Sequence, residues 1–148
     1  MKAAILGALQ RHVQEARKEA LQRLASLQEA LESEAKSTAG DKHETGRARI
    51  HQEMEQVNET LVRCDSRLLE LNRWAKSNGS PERVGPGVLV ETNGPLVLVG
   101  MALGKVVLGE QVVLAISSEA PVAKAWHGTV PGESVRLGEQ VFTIRALH

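Results

Sequence analysis

Hydrophobic and small residues recur every three or four positions along the first half of the chain. They are Leu6, Leu9, Val13, Ala16, Ala20, Leu24, Leu27 and Leu31 in one stretch, and Ile50, Met54, Val57, Leu61, Cys64, Leu68 and Leu71 in the next. Alternating steps of three and four create a helical seam that faces a partner helix. Because the connection between the stretches is short, we predict two long helices paired as an antiparallel coiled coil.

The turn between these helices is predicted near residues 37–41. Residues 8–36 are rich in strong helix formers, and the first proline of the chain is Pro81. Gly40 is suited to end the first helix, and Asp41 is suited to cap the helix that follows. A further break is expected at Thr45-Gly46, after which the second helix should run to about Ala75.

The pattern changes after Val84, where β-branched residues and turns alternate. We predict strands at residues 88–91, 95–99, 111–116 and 141–145, and a short helix at residues 121–126. Pro121 suits the first turn of that helix, and Gly128 can close it. The predicted fold is α+β: a coiled-coil hairpin at residues 1–76, a linker at 77–86, and a small domain with an antiparallel sheet at 87–148.

Composition excludes some classes of function. The 18 basic and 18 acidic residues balance, so no bulk charge favours nucleic acid or an anionic membrane. The single cysteine, Cys64, excludes an internal disulfide and a multi-cysteine zinc site within one chain. The apolar runs are far shorter than a membrane span, and the apolar N-terminus is interrupted at Gln10-Arg11-His12. We therefore expect a cytoplasmic protein that does not associate with membranes.

Two carboxylates, Asp41 and Glu44, stand three residues apart at the predicted turn. This spacing places them on one side of a helical turn. A simple structural explanation is a capping box, in which Asp41 caps a helix and Glu44 bonds back to it. The alternative is functional, because an acidic pair at the end of a long hairpin is well placed to enter the active site of another protein.

The order of these parts resembles the Gre family of bacterial transcript-cleavage factors. Gly40, Asp41 and Glu44 match the Gly-Asp-x-x-Glu motif at the tip of that family's coiled coil. Residues 118–128 are similar to its Ser-Pro-x-x-x-Ala-Leu-x-Gly segment, and residues 132–135 with 141–144 to its Gly-Asp-x-Val turn and final strand. The resemblance covers nearly the whole chain and implies an FKBP-like fold for the C-terminal domain.

The resemblance implies an accessory factor and not an enzyme. Members of the family insert the coiled coil into the secondary channel of RNA polymerase and stimulate cleavage of backtracked RNA. By this resemblance Asp41 would be the main ligand of a second Mg²⁺ ion or its water, and Glu44 the supporting carboxylate. The Mg²⁺ would be shared with the polymerase, the nascent RNA 3′ end would be an indirect partner, and the factor would be a monomer with no cofactor bound when alone.

This chain also departs from the family pattern around the acids. The usual continuation Leu-Lys-Glu-Asn-Ala-Glu-Tyr is replaced, so that only the carboxylates are kept, and the Ser that precedes the helical proline is Ala120. Lys42, Arg47 and Arg49 are candidates for contact with RNA phosphates or polymerase carboxylates, or else for a solvated surface. Lys124 and Trp126 are candidates for docking on the polymerase, with the hydrophobic core as the alternative for Trp126.

Three competing functions remain open. The first is a secondary-channel regulator that binds the polymerase without stimulating cleavage, which the altered residues around the acids favour. The second is a prolyl isomerase, but Trp126 and Phe142 are the only aromatic residues of the C-terminal half, too few to line a proline pocket. The third is a structural adaptor, which would not need acids at the tip. His43 and His51 have no clear third partner for a metal site.

Overall fold

A computed structural model describes residues 1–36 and 40–148, including their side chains except those of Lys36 and residues 40–43. Within these ranges the helices are α1 (Lys2–Lys36), α2 (Gly40–Lys76) and α3 (Pro121–Trp126). The strands are β1 (Leu89–Thr92), β2 (Leu96–Val99), β3 (Gly104–Leu108), β4 (Gln111–Ile116), β5 (Ser134–Leu137) and β6 (Gln140–Leu147). The fold is therefore α+β, with a helical hairpin followed by a mostly antiparallel sheet, as the sequence predicts.

The two long helices run antiparallel, and two ion pairs between them fix the direction. Arg17 near the start of the hairpin pairs with Asp65 at 2.7 Å, whereas Arg23, further along α1, pairs with the earlier residue Glu53 at 2.7 Å. All fifteen predicted seam residues are buried or half-buried. The three-four periodicity thus identified the packed face correctly, because only that face is removed from water.

Two predictions about the start of α2 are wrong. The described part of α2 already includes Gly40, so the backbone of Asp41 is helical and not in the predicted cap position, while residues 37–39 of the predicted turn lie outside the described residues. No break occurs at Thr45-Gly46, where α2 continues without interruption. A β-carbon at Gly46 would lie 3.2 Å from Oε1 of Glu34, so the facing helix is close at this level.

In the described part of the chain, six strands form one sheet in the order β3-β4-β2-β1-β6-β5. Neighbours pair antiparallel except β2 and β4, which are parallel, with Leu96 opposite Val113. The sheet includes two strands that the sequence analysis did not predict, β3 and β5. These are the strands at its two edges, and each has one buried residue, Val106 in β3 and Val135 in β5.

Helix α3 packs on one face of the sheet. Ala123 and Trp126 join a buried cluster whose other members are Val84, Val88, Val90, Val97, Val99, Val135 and Ile144. Pro121 occupies the first turn of α3, Ala120 provides no side-chain cap, and Gly128 follows the helix with φ +80°. These features match the sequence-based boundaries of the helix.

The chain divides into two compact units. One is Gln10–Asn72, which contains most of the helical hairpin, and the other combines Met1–Leu9 with Arg73–His148. The second unit holds the sheet, α3 and the ends of the two long helices. None of the helices within residues 1–36 and 40–148 is both long and apolar enough to cross a membrane.

Candidate functional site

The candidate site lies at the beginning of α2, next to the connection between the two long helices. Gly40 is the first residue of α2, Asp41 the second and Glu44 the fifth. Residues three apart on an α-helix lie on the same face. The backbone therefore brings Asp41 and Glu44 to one side of the first turns, while the side chain of Asp41 lies outside the described residues.

A helix N-terminus is electrostatically suited to acidic residues. The unpaired N–H groups of the first turn and the aligned peptide dipoles create a partial positive charge there. Such a charge stabilises a nearby carboxylate by about 0.3–1 kcal/mol at an exposed position. The side chain of Glu44 is exposed. The start of α2 is therefore a favourable position for an acidic side chain.

A basic residue lies next to one of the two acids. Arg47 follows Glu44 by three positions and is exposed, so these two side chains are neighbours on the helix surface. Arg47 is six positions from Asp41, which places it about 120° around the helix from that acid. Arg47 is thus next to Glu44 but is not on the face that the two acids share.

Arg49 has a different environment from Arg47. Its Nε lies 3.5 Å from Oε1 of Glu53, one turn further along α2, and its side chain is 81% exposed. Glu53 also accepts a hydrogen bond of 2.7 Å from Arg23 of α1. Arg49 is thus part of a charged cluster that links the two helices. The side chain of Lys42, the third predicted basic residue, lies outside the described residues.

Glu34 is an acidic residue near this end of the hairpin that the sequence analysis did not identify. Its carboxylate lies against Gly46, two residues beyond Glu44. A sequence signal could have identified Glu34. Gly46 on α2 is small, Glu34 on α1 is long and polar, and the two residues lie at the same level of the hairpin. Among the side chains that the structure describes, no three His, Cys, Asp or Glu groups could hold a metal ion together.

The two candidates for docking lie on α3 and differ in exposure. Lys124 is 64% exposed, with its Nζ 3.5 Å from a carboxylate oxygen of Glu119. Trp126 is 1% exposed, and its indole N–H donates a 2.8 Å hydrogen bond to the backbone carbonyl of Arg136. Trp126 is therefore a core residue whose side chain has no surface to offer a partner, which corrects its assignment to docking.

No family model matches the chain, and no curated protein does so either. A solved structure to which it is similar is that of GreA factor homolog 1 (Gfh1) of Thermus thermophilus. The two sequences are 21% identical, the match covers 94% of each chain, and the TM-score is 0.39. With so low a TM-score, the function of this chain has to be argued from its own residues.

Proposed function

We propose that this chain is a cytoplasmic transcription elongation factor that binds bacterial RNA polymerase through the secondary channel. Its helical hairpin would enter the channel and bring Asp41 and Glu44 to the catalytic centre, where the polymerase cleaves backtracked RNA. The observation that carries this proposal is the position of both acids on one face of the first turns of α2, beside the connection between helices of 35 and 37 residues.

The length of the helices supports this mode of action. At about 1.5 Å per residue, helices of this size extend for roughly 50 Å. Glu53 and Asp65 accept hydrogen bonds from α1, and these contacts hold the hairpin together along its length. Paired helices hold the start of α2 in a defined position within the hairpin, which a flexible segment would not do.

The chemistry of the two acids suits a shared magnesium ion. Carboxylate oxygens are hard donors that Mg²⁺ prefers, and the ion commonly takes one or two of them from a protein and its other ligands from elsewhere. When bound, Mg²⁺ would polarise the scissile phosphate and lower the pKa of a coordinated water. Asp41 would supply the main oxygen ligand, and Glu44 would orient the ion or the attacking water.

The basic residues would complement this acidic pair. Arg47 is the neighbour of Glu44 on the helix surface and is suited to contact an RNA phosphate or a polymerase carboxylate. Lys42 and Arg49 would be further basic groups for contact with RNA or polymerase, with Arg49 also 3.5 Å from Glu53. Lys124 remains the candidate for docking of the C-terminal domain, because its ammonium group is largely exposed.

The decisive experiment measures RNA release from a backtracked elongation complex of the cognate polymerase, with and without this protein. The matched variant is Asp41→Asn with Glu44→Gln, which removes both charges and keeps the side-chain size. The control is Glu29→Gln with Glu32→Gln, an exposed acidic pair with the same spacing on α1. We expect Mg²⁺-dependent release of short 3′ fragments that the first variant abolishes and the control retains. Release by the Asp41/Glu44 variant at the unmodified level would refute the proposed mechanism.

A second candidate function is a regulator of the same channel that does not stimulate cleavage. The residues after the acids favour it, since Thr45, Gly46 and Arg47 differ in size and charge from the family pattern. The same experiment separates the two functions when polymerase binding is measured in parallel. Binding without added RNA release would identify a non-cleaving regulator.

A further inference from the structure

Helix α2 carries a second seam of heptad spacing on the side away from α1. It consists of Glu55, Glu59, Val62, Leu69, Arg73 and Lys76, with Ser66 in the middle. This outer seam begins five residues after the first residue of the packed seam, Ile50, and therefore lies about 140° around the helix from it. All of its residues are exposed.

The apolar residues of the outer seam are unusually accessible. Val62 is 68% exposed and Leu69 is 73% exposed, which makes them the two most exposed large hydrophobic residues in the described part of the chain. They are seven residues apart and so lie one above the other on the helix. A shallow groove beside Val62 is lined by Glu55, Asn58, Glu59 and Arg63. Val62 and Leu69 thus form a line of two exposed apolar side chains, flanked by charges, that a second helix would cover.

The charges of the outer seam are arranged to complement themselves. Its first two positions, Glu55 and Glu59, are acidic, and its last two, Arg73 and Lys76, are basic. Two copies aligned in parallel would place acid against acid and base against base. Two antiparallel copies would place the acidic end of each against the basic end of the other.

The spacing around Ser66 fits a two-fold axis at that residue. Glu59 and Arg73 are each seven positions from it, Val62 is four before it, and Leu69 is three after it. In an antiparallel pair centred there, Val62 of each copy would lie opposite Leu69 of the other, and Glu59 opposite Arg73. An interface that uses the same residues on both copies is the common form of a homodimer.

We propose that the outer seam is a self-association surface, on which α2 of a second copy of this chain packs antiparallel with its two-fold axis near Ser66. The dimer would be held by the apolar contact of Val62 with Leu69 and directed by the two charged ends. This differs from the monomer that the sequence analysis expected. It does not depend on the proposed function, since it concerns the purified protein alone.

The first test is sedimentation equilibrium of the whole chain over a range of concentrations up to about 1 mM. We expect a monomer–dimer equilibrium whose dissociation constant rises at least about tenfold in the Val62→Glu, Leu69→Glu variant. The matched control is Leu21→Glu on α1, where an apolar residue is 42% exposed and lies outside the seam. Circular dichroism of each variant verifies that the helices are retained.

The second test reverses the charges at one end of the seam at a time. One variant carries Glu55→Lys with Glu59→Lys, and the other carries Arg73→Glu with Lys76→Glu. Each alone should be monomeric, because like charges then meet in the antiparallel pair. An equimolar mixture should form a heterodimer, because every opposed end is again of opposite charge.

Three results would overturn the proposal: a wild-type protein that stays monomeric throughout, charge variants that associate as the wild type does, or a mixture that remains monomeric. If the wild type is monomeric and Val62→Glu with Leu69→Glu instead weakens polymerase binding, the outer seam belongs to the interface with the polymerase. That outcome would also exclude self-association through this face.

Discussion

The indole of Trp74 packs so closely on Gly87 that a β-carbon at Gly87 would lie 2.8 Å from the indole Nε1. Gly87 also has φ +83°, a left-handed conformation that residues with a side chain rarely adopt. The same indole lies 3.0 Å from the position of a β-carbon at Gly100, where φ is +119°. The glycines thus allow the end of α2 to pack against the backbone that precedes β1 and follows β2.

Replacing Gly87 with alanine should destabilise the protein, because the added methyl group meets a rigid ring. Overpacking of this kind costs about 1–3 kcal/mol, to which the left-handed conformation adds about 1 kcal/mol. Urea unfolding measures the loss. Gly109→Ala separates the two causes, since Gly109 has φ +65° and no neighbour within 4 Å. Equal losses at both positions would show that backbone conformation alone decides the cost.

Replacing Trp126 with phenylalanine should also destabilise the protein, in this case by removing a partly buried hydrogen bond. The carbonyl of Arg136 would lose its donor, and a hydrogen bond of this kind contributes about 0.5–1.5 kcal/mol. Trp126→Ala should cost more, about 3–5 kcal/mol, because a cavity is added. Lys124→Ala, on the same helix but exposed, is the control and should change the unfolding free energy by less than about 0.5 kcal/mol. An unchanged unfolding midpoint in Trp126→Phe would contradict this assignment.

The parts of the fold that the sequence predicted are those with a regular and repeated pattern. Burial at Val13, Ala20, Leu27 and Cys64 follows from heptad spacing, since one seam of each long helix is packed. The edge strands β3 and β5 escaped prediction because each is short, is paired on one side only, and has a single buried position. Local spacing cannot distinguish such a strand from a loop.

Residues whose role depends on distant partners were also hard to predict. Gly46 is typical of a helix break in the sequence, yet it lies inside α2, close to the carboxylate of Glu34 on the facing helix. The sequence leaves open whether Trp126 lies in the core or on the surface. Its burial and its hydrogen bond to the carbonyl of Arg136 show that it lies in the core. For the candidate site, the common face of Asp41 and Glu44 follows from their spacing on a helix, while the link of Arg49 to Glu53 required the structure.

The stability of the protein should depend on the protonation of Lys2. Burial lowers the pKa of its amine from the ordinary value of 10.5, because the charged form is partly removed from water. At pH values below the lowered pKa, the folded state is destabilised by the full cost of burying the charged amine. Between that pKa and 10.5 the unfolded state binds more protons than the folded state, so the free energy of unfolding rises with pH.

The measurement compares urea unfolding of the wild type and Lys2→Met at several values between pH 7 and pH 11. We expect the variant to lack the rise that the wild type shows as the pH approaches 10.5. Lys105→Met is the control, because Lys105 is an exposed lysine of β3. A wild-type curve parallel to that of Lys2→Met across the whole range would show that burial of Lys2 has no energetic consequence.

Replacing Glu53 with glutamine should have a small effect on stability, although one carboxylate there serves two arginines. Glu53 accepts a 2.7 Å hydrogen bond from Arg23 of α1 and lies 3.5 Å from Arg49 of its own helix. The side chain of Arg23 is 58% exposed, so water and salt weaken the attraction. Exposed pairs of this kind contribute about 0.2–1 kcal/mol each. Unfolding at low and high salt should show a loss of this size that shrinks as salt rises, whereas a larger, salt-independent loss would mean that Glu53 supports the hairpin by packing.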